Sequence, residues 1–437
     1  MSSPDPRHIN SVVVIGCGAV GLPLCVAFAT RNLNVLGVDI DAERISALQS
    51  GRLEVAEAGL AEALGQSIEQ GRLRFMPFCA RASHRRAFIL AVPTPVDDQG
   101  VPVLTSLRAA TEAALACAQD HDLLVIRSTV PVGTTRRIAQ DIAGRNPTIM
   151  VACCPDRSIS GQSFLEQFSV PHVIGGLEPT ATRTASNLFQ ILGKTIEVST
   201  PEAAEAVKLF CNVQRDVTFA LANHFALISD ALGLDIAEIE KAATTEYPRF
   251  CLSRPGPVGG PCLTKDALLL DHSIIGRHVS SALALTARQV NTSLLDHAAS
   301  AITDHLTVSA TAKPIIAVLG LAFKGTPSMM DTRGSFGCNL AERLQVQWPQ
   351  AIIRTWEPGA NGDFPIESVL VGADVVILAN EHPLIKALDI AAAAKAMRSG
   401  GMIYDACGGF DRARQIPPNG VRLRIFGRGP PLEDPTA

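Results

Sequence analysis

The stretch Ser11-Val-Val-Val-Ile15, then Gly16-x-Gly18-x-x-Gly21, then an Ala/Leu-rich run to about Thr30, constrains this chain more than any other feature. A β-branched strand, a glycine turn and a helix follow one another without a spacer. A second strand, Asn34 to Val38, ends on Asp39, 18 residues beyond Gly21. In that context the glycines permit a tight turn, close backbone approach to a pyrophosphate and close helix packing, and the helix N-terminus faces the anion. A Gly-x-Gly-x-x-Gly standing alone is compatible with a chance loop; here strand, helix and acid agree. Asp39 is placed to accept hydrogen bonds from the adenine ribose hydroxyls, and its charge repels a 2′-phosphate. The expected cofactor is therefore NAD, held by Gly16, Gly18, Ala19, Val20, Gly21 and Asp39.

Buried-strand candidates continue at Ala87 to Val92 and at Leu123 to Ile126. Strands alternating with helices imply a parallel, doubly wound sheet running to about Thr200. From Pro201 to about Leu232 the period is helical and unbroken, with Thr200 as N-cap and Pro201 at the first helical position. More helix follows to about Leu306. After Lys313-Pro314 a second α/β unit begins: Ile315 to Leu319, Ile352 to Thr355 ending near Glu357, Asp374 to Leu378 and Met402 to Tyr404. The fold class read from this order is α/β, with two Rossmann-like doubly wound parallel-sheet domains joined by a long central helix and a helical middle domain. The expected boundaries are 1–200, 201–310 and 311–437. The Pro-rich end, Gly427 to Ala437, is expected to fray.

Composition fits this architecture: 47% of residues are hydrophobic and only 5% aromatic, as in helices packed on a parallel sheet. A net charge of −4 without a basic run gives no reason to expect a nucleic-acid or anionic-membrane partner. No apolar run approaches the roughly 20 residues of a membrane helix. The polar start, Met1 to Asn10, leads straight into a strand and does not read as a signal peptide. The 11 cysteines lack the paired spacing of a disulfide framework or zinc site, and the 10 histidines form no ligand cluster. No metal and a reducing cytoplasm are expected.

Cys262 sits in Arg254-Pro-Gly-Pro-Val-Gly259-Gly-Pro-Cys262-Leu-Thr-Lys265-Asp266. A cysteine that follows a stiff Gly/Pro loop and opens a helix is exposed and sits near a helix N-terminus, conditions that make a thiol nucleophilic. Beside a nicotinamide, such a thiol suggests oxidation at the aldehyde level. Two further strand ends, Ala91-Val-Pro93-Thr94-Pro95 and Ser128-Thr129-Val-Pro-Val-Gly133-Thr-Thr135, carry hydroxyls where parallel sheets bind ligand; Pro, Thr and Gly also favour ordinary turns. On the central helix Glu205, Lys208 and Asn212 share one face. They suit either the polarisation of a sugar oxygen or a solvated stripe.

Taken together, these motifs resemble the UDP-glucose/GDP-mannose dehydrogenases, from Gly16 to about Gly408. The resemblance rests on the glycine fingerprint, Val92-Pro-Thr-Pro95, Ser128-Thr-Val130 with Gly133-Thr-Thr135, and Ala204-Glu-Ala-Val-Lys208 with Asn212. It extends through Gly259-Gly-Pro-Cys262 with Lys265-Asp266, and Gly320-Leu-Ala-Phe323-Lys324 with Asp331-Thr-Arg333. It implies an NAD-dependent, four-electron oxidation of a nucleotide sugar at C6 to the uronic acid. Carried over by motif, Cys262 forms a thiohemiacetal and then a thioester, and Lys208 with Asn212 stabilises the oxyanion. Asp266 and Thr129 hold water, with Asp156 in the acid position of the Pro-Glu motif. Arg44, Pro93, Thr94, Ser128, Thr129 and Lys265 join the cofactor site. Arg157, Lys208, Asn212, Arg249, Gly259, Phe323, Lys324 and Arg333 contact the substrate. A homodimer through the central helix is implied.

Three departures stand out. Asp156 replaces the usual glutamate and is one methylene shorter, which puts thioester hydrolysis in question. Arg157 after the acid resembles the UDP-N-acetylhexosamine branch, not the glucose branch. Pro257-Val258, Pro261 and Met329-Met330 depart from the family pattern around the sugar and nucleotide. Other readings stay open. They are a UDP-glucose 6-dehydrogenase, a two-electron hydroxyacid-type dehydrogenase, and a protein that binds NAD and a nucleotide sugar but turns over poorly because of Asp156.

Overall fold

The computed structural model describes residues 9, 11–53, 57–146, 148–327, 330–358, 364–408 and 416–429. The chain divides into two compact units: Met1–Cys211 with Leu268–Val279, and Asn212–Ala267 with Ser280–Ala437.

The first unit holds an eight-stranded sheet. Its strands are β1 (Ser11–Ile15), β2 (Asn34–Val38), β3 (Leu73–Met76), β4 (Ala87–Leu90), β5 (Leu123–Ile126), β6 (Met150–Cys153), β7 (His172–Gly176) and β8 (Thr195–Glu197). Their order is β3-β2-β1-β4-β5-β6-β7-β8, so the strand order reverses between β1 and β4, where such sheets bind ligand. Side chains alternate faces along each strand. Val12 and Val14 enter one core with Leu24, Phe28 and Leu64; Val13 and Ile15 enter the other with Leu107, Ala114 and Ile142. Burial on both faces explains why β1 reads as an unbroken apolar run. The helix Gly21–Thr30 is itself enclosed, with every residue from Leu24 to Ala29 at 1% exposure or less, so it lacks a polar face.

One expectation fails here. The sheet is not wholly parallel: β6 and β7 run antiparallel, pairing Ala152 with Gly176 and Cys153 with Gly175. The chain leaves β6 at its carboxyl end and returns from that same end through the short helix Ser163–Ser169. The loop bearing Asp156 is thereby held at the carboxyl edge of the sheet.

The helix Pro201–Ala231 is continuous over 31 residues. Thr200 caps it as expected, its Oγ1 accepting from Ala203 N at 3.2 Å. In the second unit the helices Ile236–Thr244 and Ala282–Val308 precede five parallel strands. These are β9 (Ile315–Leu319), β10 (Ile352–Trp356), β11 (Val375–Leu378), β12 (Met402–Asp405) and β13 (Arg422–Ile425), in the order β10-β9-β11-β12-β13. Ile316 and Val318 pack with Ala298, Ile302 and Leu306 of the long helix, and Ala317 and Leu319 face the opposite core.

The expected fraying is wrong for Gly427–Gly429. Ile236 N donates to Gly427 O at 3.0 Å, Gly429 N donates to Leu234 O at 3.1 Å, and Arg428 pairs with Asp235 at 2.8 Å. Residues 430–437 lie outside the described residues. Among the described residues no helix is long and apolar enough to cross a membrane.

Candidate active site

The dinucleotide half lies in the first unit. Gly16 has φ +95°, and a Cβ there would fall 2.5 Å from Ala91 O. A Cβ on Gly21 would meet Gly16 O at 1.8 Å, whereas one on Gly18 meets nothing within 4 Å. Two glycines therefore close the turn, and the third leaves open space over the helix N-terminus, the cradle a pyrophosphate requires. Asp39, at the end of β2, is 8% exposed. Its Oδ2 accepts from Cys17 N at 2.8 Å and its Oδ1 from Asp41 N at 3.0 Å, and Arg44 Nη1 lies 3.4 Å from Oδ2. Ala19 is exposed and Val20 half-buried beside Gly18. These residues fit NAD.

At the other strand ends the hydroxyls divide. Ser128 Oγ donates to Val92 O at 2.7 Å and accepts from Val92 N at 2.9 Å; Thr94 Oγ1 donates to Thr129 O at 2.5 Å. Both staple the turns after β4 and β5, so turn chemistry accounts for their side chains. Pro93 is exposed and Thr129 half-buried beside them. No bond to the Thr129 hydroxyl occurs among the described residues.

The polar face of the central helix is not a solvated stripe. Glu205, Lys208 and Asn212 are 2%, 8% and 5% exposed. Glu205 accepts from Gly133 N at 2.6 Å, Thr135 N at 2.7 Å and Thr135 Oγ1 at 2.6 Å. It thus neutralises the first turn of the helix Thr134–Ala143, although burial pushes its carboxyl pKa up against those bonds. The Lys208 ammonium makes neither a hydrogen bond nor an ion pair with any described residue, though its charge acts on Asp156.

Asp156 is held by a residue that sequence reasoning missed. Arg127, 2% exposed, follows β5. Its Nη2 donates to Asp156 Oδ1 at 2.7 Å and to Gln167 Oε1 at 3.0 Å, and its Nη1 to Cys154 O at 3.1 Å. Ser158 Oγ donates to Asp156 Oδ2 at 2.7 Å. Burial pushes the Asp156 pKa up, but Arg127, Lys208 and the bonds from Ser158 and Gln167 outweigh it and hold the pKa below the ordinary aspartate value. Arg157 is half-buried and donates to Pro171 O at 3.3 Å.

The sulfur half lies in the second unit. Cys262 is exposed and begins the helix Leu263–Ser273, its carbonyl accepting from Lys265 N at 3.1 Å and Asp266 N at 3.0 Å. Asp266, 1% exposed, accepts from Asn212 Nδ2 at 2.6 Å and from Lys265 Nζ at 2.7 Å. Asn212 of the central helix and Asp266 of the cysteine motif, 54 residues apart in sequence, are thus paired in space. A Cβ on Gly260 would fall 2.7 Å from the Phe323 ring, and one on Gly259 would fall 2.4 Å from Gly334 O. Lys324 Nζ lies 5.8 Å from the Phe323 centroid. Arg333 holds Asp331 through three bonds of 2.6–3.1 Å, which raises the Arg333 pKa, with a smaller contribution from Cys262. Arg249 is exposed and stacks over Tyr247 at 5.2 Å. Met330 is exposed; Met329 lies outside the described residues.

Two further residues missed in sequence clamp the cysteine loop. Asn223 donates to Gly256 O at 3.0 Å and accepts from Gly256 N at 2.7 Å. Arg288 donates to Leu263 O at 3.4 Å and to Val258 O at 3.5 Å while pairing with buried Asp216 at 2.8 Å. Burial pushes Asp216 up, and Arg288 only partly offsets this. The signal was present as Asp, Asn and Arg within apolar helical runs. Their partners are set by folding, not by spacing.

A nucleotide cradle on one doubly wound sheet, with a helix-capping cysteine on a second compact unit, defines a nicotinamide-dependent dehydrogenase. Comparison with known proteins specifies it further. Residues 10–193 match the NAD binding domain of the UDP-glucose/GDP-mannose dehydrogenase family, and residues 202–293 match its central domain. The UDP-N-acetyl-D-mannosamine dehydrogenase of Pyrococcus horikoshii is 32% identical over 96% of this chain and 99% of its own length; that of Escherichia coli is 31% identical over 87% and 95%. Among solved structures, the Pyrococcus horikoshii UDP-D-ManNAc dehydrogenase superposes with a TM-score of 0.85 at 30% identity, covering 96% of this chain and 99% of that one. A UDP-glucose dehydrogenase from Pyrobaculum islandicum gives a TM-score of 0.80 at 25% identity, covering 98% and 99%. The chain belongs to the UDP-glucose/GDP-mannose dehydrogenase family, and is an NAD-dependent dehydrogenase of nucleotide sugars.

Three variants test the buried pairs. Asp156→Asn leaves Arg127 as an uncompensated buried cation and is expected to cost about 3–5 kcal/mol in urea denaturation. Because the folded-state pKa is depressed, that deficit should be full above the unfolded value of roughly 4. It should shrink only as pH falls through the lower native value. Arg288→Met should lower the melting temperature, and Asp216→Asn combined with Arg288→Met should melt above Arg288→Met alone, since no charge is then left unpaired.

Proposed function

We propose that this chain oxidises the C6 hydroxymethyl group of a UDP-N-acetylhexosamine to the carboxylate, with UDP-N-acetyl-D-mannosamine the first candidate. The observation that carries the four-electron reading is Cys262, exposed at a helix start with buried Asp266 one turn later in the same helix. The names of the relatives and Arg157 after the acid support the sugar class. NAD, when bound, would supply the hydride acceptor for two successive oxidations at C6. Gly16, Gly18, Ala19, Val20, Gly21, Asp39 and Arg44 hold the dinucleotide, with Pro93, Thr94, Ser128, Thr129 and Lys265 completing the site.

The chain's own groups have separate tasks. Asp266 and Thr129 position water that takes the C6 hydroxyl proton. The Cys262 thiolate adds to the aldehyde carbon, so the aldehyde is not released and the adduct is again a hydride donor. Lys208 and Asn212 stabilise the oxyanion; a largely buried ammonium with no partner among the described residues suits that task. Loss of the second hydride leaves a thioester, which water cleaves to free acid and thiol. Asp156, paired with Arg127, orients its own loop. Arg157, Arg249, Gly259, Phe323, Lys324 and Arg333 grip the nucleotide sugar.

The division of labour follows residues 1–200 for NAD, 201–310 for the cysteine loop and self-association, and 311–437 for the nucleotide. A homodimer through the central helix is supported by its exposed Leu221 and Ile228. A cytoplasmic setting is supported by the 11 cysteines, whose spacing is not that of a disulfide framework.

A panel of UDP- and GDP-sugars, UDP-glucose included, tests the reading. Two NADH should form per UDP-N-acetylhexosamine consumed, with the acid identified by mass. One NADH with free aldehyde would reject the four-electron route. Cys262→Ser should abolish acid formation; unchanged turnover to acid would remove the thiol from the mechanism. Lys208→Ala should lower kcat by about 10²–10³-fold.

A further inference from the structure

The turn after β5 leads into the helix Thr134–Ala143, which starts badly on its own terms. Its N-cap is Gly133, at φ +92°, which has no side chain to cap with, and its first turn holds no acid. Thr134 and Thr135 are 3% and 0% exposed, so water does not serve the amides of that turn, and buried amides need acceptors. The acceptor comes from another helix. Glu205 of the central helix, 2% exposed, takes Gly133 N at 2.6 Å on Oε2, and Thr135 N at 2.7 Å and Thr135 Oγ1 at 2.6 Å on Oε1. One turn earlier on the same helix, Glu202 takes Arg136 Nε at 2.5 Å and Nη2 at 3.1 Å. Two acids at i and i+3 therefore grip one turn of the neighbouring helix.

The loop held in this way carries Thr129. Its backbone is fixed at successive points. Thr129 O accepts from Thr94 Oγ1 at 2.5 Å, Val132 N donates to Ser273 Oγ at 2.9 Å, and Gly133 N donates to Glu205. Glu205 in turn lies one helical turn before Lys208, a spacing of about 5–6 Å between Cβ atoms. A glutamate three residues before a lysine ordinarily pairs with it on the helix surface. Here both carboxylate oxygens are directed at the turn after β5 instead.

We propose that Glu205 is a positioning residue for the oxidation, a rigid link that sets the Thr129 loop in register with Lys208. The inference rests on the roles given above to Thr129 and Lys208. Glu205 acts through them: its three bonds join the loop that presents one to the helix turn that presents the other.

The test is Glu205→Gln, which keeps the size of the side chain. An amide offers one oxygen, so either Gly133 N or Thr135 N must then face a donor instead of an acceptor. In hydrogen exchange of the full chain read by mass spectrometry, peptides spanning residues 127–136 should exchange about tenfold faster, as loss of a bond to a charged group implies. Peptides of β1 and β2 should keep their rates. With NAD and UDP-N-acetyl-D-mannosamine, kcat should fall by about 10–100-fold, while KM for NAD holds because Gly16, Gly21 and Asp39 are untouched. Thr129→Ala should also lower kcat, and the double variant should lose less than the product of the two single losses. Thr135→Val removes one donor and keeps the carboxylate, so it should show the same changes in smaller measure even where Glu205→Gln does not fold. Unchanged exchange at residues 127–136, or a double variant that loses the full product, overturns the proposal. Undiminished kcat in Glu205→Gln beside an impaired Thr129→Ala overturns it alone. Undiminished kcat in Thr129→Ala overturns the role of Thr129 itself, and the inference with it.

Discussion

A parallel sheet covered on both faces leaves its polar chemistry nowhere to go but the strand ends. Both sheets obey this constraint in the same way. In the first, Asp39 at the end of β2 accepts from Cys17 N in the turn after β1. In the second, Glu357 follows β10 and accepts from the amides of Leu321 and Ala322 in the turn after β9. An acid at the end of the adjacent strand orders each first turn. The cost shows in Glu357, whose carboxyl is raised by burial against those two bonds.

Charged groups inside such a framework need partners, and the partners organise the site. Arg127 gathers Asp156, Gln167 and two loop carbonyls into one cluster. Arg288 does the same for Asp216 and the carbonyls flanking the cysteine loop. A buried ion pair adds little net stability relative to an apolar replacement, yet breaking one is costly. Such pairs therefore fix geometry more than they add strength. Asp156 fills its place here with both oxygens bonded.

The sequence made the apolar framework legible because β1, β2, β4, β5, β9 and β11 are dense runs of Val, Ile, Leu and Ala. It concealed β8, three residues at an edge of which two are exposed, and β7, whose Gly175 and Gly176 read as turn signals. The reversed direction of β7 carries no periodic signature at all. At the site, fingerprint, cysteine loop and helix face were readable as motifs with short internal spacing. Arg127 and Arg288 were not: Arg288 meets Asp216 across 72 residues of sequence, and only the folded chain sets that distance.

The first compact unit is discontinuous, completed by Leu268–Val279 from beyond the central helix. Ser273 Oγ accepts from Val132 N at 2.9 Å, and Leu268 lies against Gly100. During synthesis, then, a ribosome that has released all of the first sheet has not yet released all of the unit. Those contacts wait until the residues beyond the central helix have emerged, so this dinucleotide-binding unit is completed well after its sheet has been made.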